Sequence, residues 1–240
     1  MNSGWYYWPN FIEQEKATQW LIELRKDTQW EQGSLRMYGK EIPFPRLMAW
    51  YGVEGAAYRF SGKTYQPQGF TPLLSIIKES IENSIHDHSE FNKLLPSAGF
   101  NSVLLNWYRQ GQDSMSWHAD DEIELGSQPL IASLSLGAPR WFHIKPKERG
   151  STEKEPLLYA DAQGSGSNTN VFVLNSTLDL FGANVNESAS GSQKILLEHG
   201  SLLLMFGNSQ RDYVHALPKT KKSVSDRINL TFRTIFPTTK

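Results

Sequence analysis

From Phe100 onward the apolar residues recur at every second position, and this period constrains the chain more than any other feature. In extended backbone Val103, Leu105 and Trp107 fall on one face, while Asn106 and Tyr108 fall on the other. Further strand candidates are Leu130 to Leu136, Trp141 to Ile144, Ile195 to Leu197, Ser201 to Phe206 and Arg227 to Ile235, separated by Gly, Pro, Asn and Asp. Many short strands must close on one another or pack as two sheets, so a barrel or jelly roll is expected.

The segment before Phe100 follows the helical period instead. Asn10 and Glu13 are spaced as an N-cap and its N3 partner, and Ala17, Trp20, Leu21 and Leu24 follow at helical intervals. Thr71-Pro72 supplies a cap and an N1 proline, after which Leu73, Leu74, Ile76, Ile77, Ile81 and Ile85 form an apolar stripe. The expected class is therefore α+β, with N-terminal helices flanking a β-rich body.

With 240 residues, 39% hydrophobic and 12% aromatic, one large core is available, and a single domain over residues 1–240 is expected. Its parts are a helical N-terminal region (about 1–100), a strand core (about 100–236) and a surface insertion (about 149–194). The insertion is rich in Ser, Gly and Asn, with a strand candidate at Val171 to Leu174. There is no cysteine, which excludes disulfides, thiolate zinc sites and cysteine nucleophiles, so any metal is held by His, Asp or Glu. No stretch reaches the ~18 apolar residues of a membrane span, and the N-terminus lacks a basic start followed by an apolar run. The expectation is an intracellular protein of the cytoplasm, nucleoid or nucleus, with no membrane contact. A net charge of -1 means that any grip on phosphates comes from a local basic patch.

His118 and Asp120, two apart, project to one face of an extended segment, where imidazole and carboxylate can share an ion. His215, in DYVHALP, can return alongside them in a barrel and complete a set of two His and one carboxylate. That set leaves coordination positions open, as in non-haem Fe(II) oxygenases. Spacing alone fits a hydrogen-bonded surface pair of His118 and Asp120 better than a metal site, so the set needs corroboration from elsewhere in the chain. His86, Asp87 and His88 read as the end of a solvated helix, and His143 and His199 as packed or turn histidines. In RINLTFR, Arg227, Asn229, Thr231 and Arg233 share one strand face opposite Ile228, Leu230 and Phe232. Two guanidinium groups and a hydroxyl suit a small dicarboxylate, although a solvated strand face would alternate in the same way.

In order along the chain, FNSVLLNWY, SWHADDE, PLIASLSLGAPRWFHI, HGSLLLM, VHALP and RINLTFR resemble the AlkB family of Fe(II)/2-oxoglutarate dioxygenases, over most of residues 45–236 outside the insertion. The resemblance implies a double-stranded β-helix, or jelly roll, with helices packed outside. It implies Fe(II) on His118, Asp120 and His215, which are then the catalytic set. It also implies 2-oxoglutarate held by Asn106, Tyr108, Arg227, Thr231 and Arg233, with Arg233 on the distal carboxylate. The implied reaction uses O2 to oxidise the alkyl group of an N-alkylated base such as 1-methyladenine or 3-methylcytosine, releasing succinate, CO2 and an aldehyde. The implied partner is alkylated DNA, with RNA as a second candidate and no protein partner. An oxygenase acting on a protein, a lipid or a small molecule is the alternative.

RLMAWYGVEGAAYRFSG resembles the family's base-binding lid, which makes Tyr51, Tyr58 and Phe60 candidates for stacking on the base or lining its pocket. Asp121 is the candidate for contact with the exocyclic amine. MYGKEIPFPR resembles a finger that enters the base stack, with Tyr38 as the wedge and Lys40 and Arg46 near phosphates. Lys219, Lys221 and Lys222 form a basic loop after His215. The insertion is longer than this region is in the family.

Overall fold

Alternation in SVLLNWY and RINLTFR is resolved by two sheets whose inner faces meet. The computed structural model describes residues 4–37, 39–60, 63–147, 157–160, 172–173, 185–187 and 192–236. Its elements before the strand core are β1 (Gly4–Trp8), α1 (Gln14–Asp27), β2 (Ser34–Met37), β3 (Lys40–Pro43), β4 (Leu47–Gly52), β5 (Tyr58–Phe60), β6 (Lys63–Tyr65) and α2 (Pro72–Asp87). Then follow β7 (Ser102–Tyr108), β8 (Met115–His118), β9 (Ile131–Gly137), β10 (Arg140–Pro146), β11 (Leu157–Ala160), β12 (Phe172–Val173), β13 (Val185–Glu187), β14 (Gln193–Leu197), β15 (Ser201–Phe206), α3 (Ser209–Asp212), β16 (Tyr213–Leu217) and β17 (Arg227–Arg233).

An 8-stranded major sheet runs β12-β11-β1-β15-β9-β17-β7-β4, and a 5-stranded minor sheet runs β13-β14-β10-β16-β8. β17 lies between β9 and β7, antiparallel to both. One face of the major sheet carries Val103, Leu105, Leu134, Leu204, Ile228, Leu230 and Phe232 against Ala17, Trp20 and Leu24 of α1 and Leu74, Ile77, Ile81 and Ile85 of α2. Each Val, Leu, Ile or Phe among them, fully buried, contributes about 1.5–3 kcal/mol. The other face meets the minor sheet through Trp5, Tyr7, Ile131, Leu203 and Met205 against Phe142, Ile144, Ile195 and Leu197.

The Thr71 cap forms as expected, its side chain accepting from the Leu74 N–H at 3.2 Å. Ile76 leaves the stripe, at 52% exposed, because it stands about 100° round the helix from Ile77. α1 begins later than the Asn10 cap would place it: Glu13 is the N-cap and makes no side-chain capping bond. The Ile12 N–H is instead spent on the Gly200 carbonyl at 2.9 Å, which ties the approach to the β14–β15 turn and delays the helix. β1 was not anticipated. Its run GWYYW shows no polar alternation because Trp5 and Tyr7 face the minor sheet while Tyr6 faces the helices.

The strand candidate at Val171 to Leu174 appears as β12, and most of the expected insertion lies outside the described residues. Gly137 has a φ of 93°, and an added Cβ would collide with the Asp226 carbonyl. This close approach seats the start of β17, and Arg227 with it, against the end of β9. Among the described residues no helix is long and apolar enough to cross a membrane.

Candidate active site

β8 and β16 pair antiparallel with His118 directly opposite His215, so two imidazoles meet across the ladder with ring centroids 4.2 Å apart. Asp120 follows just beyond the end of β8, where its backbone N–H donates to Oε1 of the buried Gln210 at 3.0 Å. One ligand atom from each of His118, Asp120 and His215 falls within 4.8 Å of the others, a group that could hold a metal ion. His118 Nδ1 is 2.8 Å from the Ser116 carbonyl, which can only accept, so Nδ1 carries the proton and Nε2 keeps its lone pair. Asp120 Oδ2 accepts from Arg233 Nη2 at 2.8 Å, while Oδ1 faces His118 Nε2 at 3.8 Å. His215 is braced by the stacked Phe142 ring, 5.1 Å between centroids, and by the edge-on Trp5 ring at 5.9 Å.

Electrostatics keep these groups in the metal-binding protonation state. Burial, followed by the nearby His118, pushes His215 down to about 3, and burial also lowers His118. Burial alone would raise the Asp120 carboxyl, but the Arg233 guanidinium and the two imidazoles outweigh it and hold Asp120 well below the usual carboxylate range. Two neutral imidazoles and a carboxylate suit Fe(II).

The triad opens into a cavity also lined by Asn106, Tyr108, Ser133, Arg227, Asn229, Thr231 and Arg233, with Leu104, Met115, Phe142, Met205 and Leu217 as apolar wall. Arg227 is 1% exposed and donates from Nη2 to Ser135 Oγ at 2.8 Å, with its guanidinium 5.4 Å from the Tyr108 ring. Its Nε and Nη1 are buried without a hydrogen-bond partner among the described residues. Burial pushes its pKa down to about 10, which still leaves it charged at neutral pH. Unmet donors on a buried cation are costly, so the site fits an anionic ligand. Asn229 differs from its neighbours on the strand face, because its amide is spent on Ser133 Oγ and the Leu134 carbonyl.

Three expectations change. Arg233, expected on a distal carboxylate, is bonded to Asp120 beside the metal ligands, because Asp120 is the buried charge nearest to it. Arg227 has no carboxylate partner among the described residues, and its Nε and Nη1 remain unbonded there. Arg46, expected near phosphates, is 2% exposed and donates from Nε to Asn106 Oδ1 at 2.7 Å, because it precedes β4, which lies beside β7. Tyr51, expected in the base pocket, is 3% exposed in the core under the helices. The alternation of β4 sends Tyr51 to the helix side with Val103 and leaves Met48 and Trp50 on the face of Leu104.

Lys40 is exposed on β3, and Asp121 is exposed and held by Lys147 Nζ at 2.7 Å. Tyr58 and Phe60 lie on β5, and Tyr38 falls outside the described residues. His199 takes a turn role, its Nδ1 accepting from the Gly137 N–H at 2.8 Å, and His88 stacks on Phe91. The supporting residues Gln210, Ser135, Phe142 and Trp5 were not singled out from the sequence. Of these only Ser135 left a trace, through the alternation of ASLSLG.

The profile of the 2OG-Fe(II) oxygenase superfamily matches residues 4–233. Alpha-ketoglutarate-dependent dioxygenase alkB homolog 3 of Mus musculus is 35% identical over 231 residues, covering 96% of this chain and 65% of that protein. The Homo sapiens DNA oxidative demethylase ALKBH2 is 32% identical, covering 94% of this chain and 71% of that protein. The solved structure of OsALKBH1 superposes with a TM-score of 0.54 over 97% of this chain and 99% of that one, at 15% sequence identity, and shares the fold. This chain thus spans just under two thirds of the mouse relative's length. With the profile, the relatives and the superposed fold in agreement, the chain belongs to the AlkB family of the 2OG-Fe(II) oxygenase superfamily.

Proposed function

We propose that this chain oxidatively removes alkyl groups from N-alkylated bases in DNA, with 1-methyladenine and 3-methylcytosine as type substrates, consuming O2 and 2-oxoglutarate and releasing succinate, CO2 and an aldehyde. The observation that carries the reading is the shared cavity. The His118, Asp120 and His215 ligands and the open donors of Arg227 face one space, as a reaction requiring metal and dicarboxylate together demands. The names of the relatives, a DNA oxidative demethylase among them, support the substrate class.

In this reading His118 Nε2, Asp120 Oδ1 and His215 hold Fe(II), and Arg227 takes the distal carboxylate of 2-oxoglutarate beside Tyr108. Fe(II) and 2-oxoglutarate, when bound, supply the oxidising power that lets O2 hydroxylate the N-alkyl carbon. Arg233 keeps Asp120 ionised and fixes Oδ2, so that Oδ1 stays oriented. Arg46 orients Asn106 on the cavity wall. Leu104, Met115, Phe142 and Leu217 exclude water beside the ligands. A base enters such a cavity only when unstacked, so the strand is single or the base is flipped. Asp121, exposed at the end of β8, meets the exocyclic amine once Lys147 releases it.

The test incubates the chain with Fe(II), 2-oxoglutarate and single-stranded DNA, duplex DNA or RNA carrying 1-methyladenine, alongside protein, lipid and small-molecule arms. Loss of the methyl group from DNA with matching succinate is expected. Succinate formed with every nucleic acid unchanged would reject base repair and leave an oxygenase of another substrate class. His118→Ala is expected to abolish turnover while keeping strand binding; full function in that variant would indicate a non-enzymatic binder.

A further inference from the structure

We infer that the outer face of the minor sheet is a docking surface for single-stranded DNA, which carries the strand that flanks a base held in the cavity. The inference rests on the proposed substrate class and adds a second contact region outside the cavity.

Trp117 precedes the ligand His118, but alternation along β8 turns its ring to the opposite side of the sheet, where it is 44% exposed. An indole this open on a strand face is unusual, because burying an aromatic is a large stabilising gain forgone. The ring lies across β16 toward β10, with Lys145 Nζ 4.8 Å from its centroid and the His143 ring at 6.3 Å. On β10 the residues alternate between buried Phe142 and Ile144 and half-buried His143 and Lys145, so His143 and Lys145 face outward. Lys194 of β14 pairs with His143 and lowers its pKa, second to burial, which places another cation on the same face.

Among the described residues the outward positions of β14, β10, β16 and β8 hold Lys194, Leu196, Trp141, His143, Lys145, Val214, Ala216 and Trp117, without a carboxylate. Lys147 continues the line and is paired with Asp121, just beyond the ligand Asp120. In a chain with net charge -1, this face gathers cations around an open aromatic. A polyanion bearing flat bases is its complement: cations follow phosphates and the indole offers a stacking platform. A duplex hides the base faces that Trp117 would stack on, so the occupant is a single strand.

The test measures binding of a labelled, lesion-bearing DNA strand of about 12 nucleotides, within the ~4–16 range of single-strand sites, across a salt series. Trp117→Ala is expected to weaken binding by about 5- to 150-fold without changing the salt slope. Lys145→Ala and Lys194→Ala are each expected to lower that slope by about 0.7. Trp117→Phe, which keeps a stacking face, should restore most of the affinity. On a lesion trinucleotide, too short to leave the mouth, Trp117→Ala should turn over like wild type, while KM rises on the longer strand. Equal loss on both lengths would mean that Trp117 acts through His118, and wild-type binding by the Trp117 and Lys194 variants would remove the surface; either overturns the inference. Variants that weaken an RNA strand but leave DNA unaffected would overturn it too, by naming a different occupant. Should wild type turn over no lesion at all, the proposed function fails, while the binding series still decides the surface.

Discussion

At the scale of single residues, the site is an arrangement of charges that burial makes expensive and pairing makes tolerable. Asp120 and Arg233, both nearly inaccessible, neutralise each other at 2.8 Å. Arg233→Met therefore leaves a buried carboxylate without its cation, and denaturant melts of the metal-free chain should show a loss of about 3–5 kcal/mol. His215 has the opposite problem, since its imidazole must stay neutral where it is buried. Its value falls from 6.5 when unfolded to about 3 when folded, so between these pH values the unfolded chain binds the extra proton. Stability of the metal-free chain is then full above about pH 6.5 and falls by about 1.4 kcal/mol per unit as pH drops toward 3. His118 shifts in the same direction and adds to the slope. His215→Gln should flatten the profile over this window in thermal melts at stepped pH, and an unchanged profile would assign the acid sensitivity to other groups. Adding Mn(II), a redox-quiet stand-in for Fe(II), at about 100 times its Kd should stabilise the wild type by about 2.7 kcal/mol, and His118→Ala should forfeit that gain.

At the scale of elements, register does what side-chain chemistry cannot do alone. The pairing of β8 with β16 sets His118 opposite His215, and β17 between β9 and β7 turns Arg227, Thr231 and Arg233 into the same space. The second fact was legible in the sequence, because RINLTFR alternates so cleanly that its polar face could be assigned before any coordinates. The Thr71-Pro72 cap was legible for the same local reason. β1 was not, since a strand buried on both faces has no alternation to read. The distinct roles of Arg227 and Arg233 were not legible either. Both lie on one strand face, and only the position of Asp120 in space, brought by a different loop, decides which is already paired.

Tyr51 shows how a motif can mislead at this scale. The segment resembles the family's base-binding lid, but β4 sends Tyr51 into the core, with its hydroxyl accepting from the Gln29 N–H at 3.4 Å. Tyr51→Ala is expected to cost about 3–5 kcal/mol of stability, as large core truncations do, and to leave KM for a lesion trinucleotide unchanged in the fraction that stays folded. A selective rise in KM with wild-type stability would return Tyr51 to the substrate pocket.

At the scale of the molecule, two sheets and a helical layer build a cavity whose wall is cationic before any ligand arrives. Arg227 and Arg233 line it, Arg46 is bonded to the lining residue Asn106, and among the described residues Asp120 is the single carboxylate in its lining. A rigid scaffold holding such an excess is organised for an anion beside a metal, and the proposed function assigns the distal end of that anion to Arg227. The most direct measurement is an anaerobic calorimetric titration of 2-oxoglutarate into the Mn(II)-loaded chain, comparing wild type with Arg227→Met. Wild type should bind one equivalent, and Arg227→Met should bind it about 30-fold or more weakly while retaining the metal. Equal affinity in the two proteins would contradict a cavity built around that guanidinium.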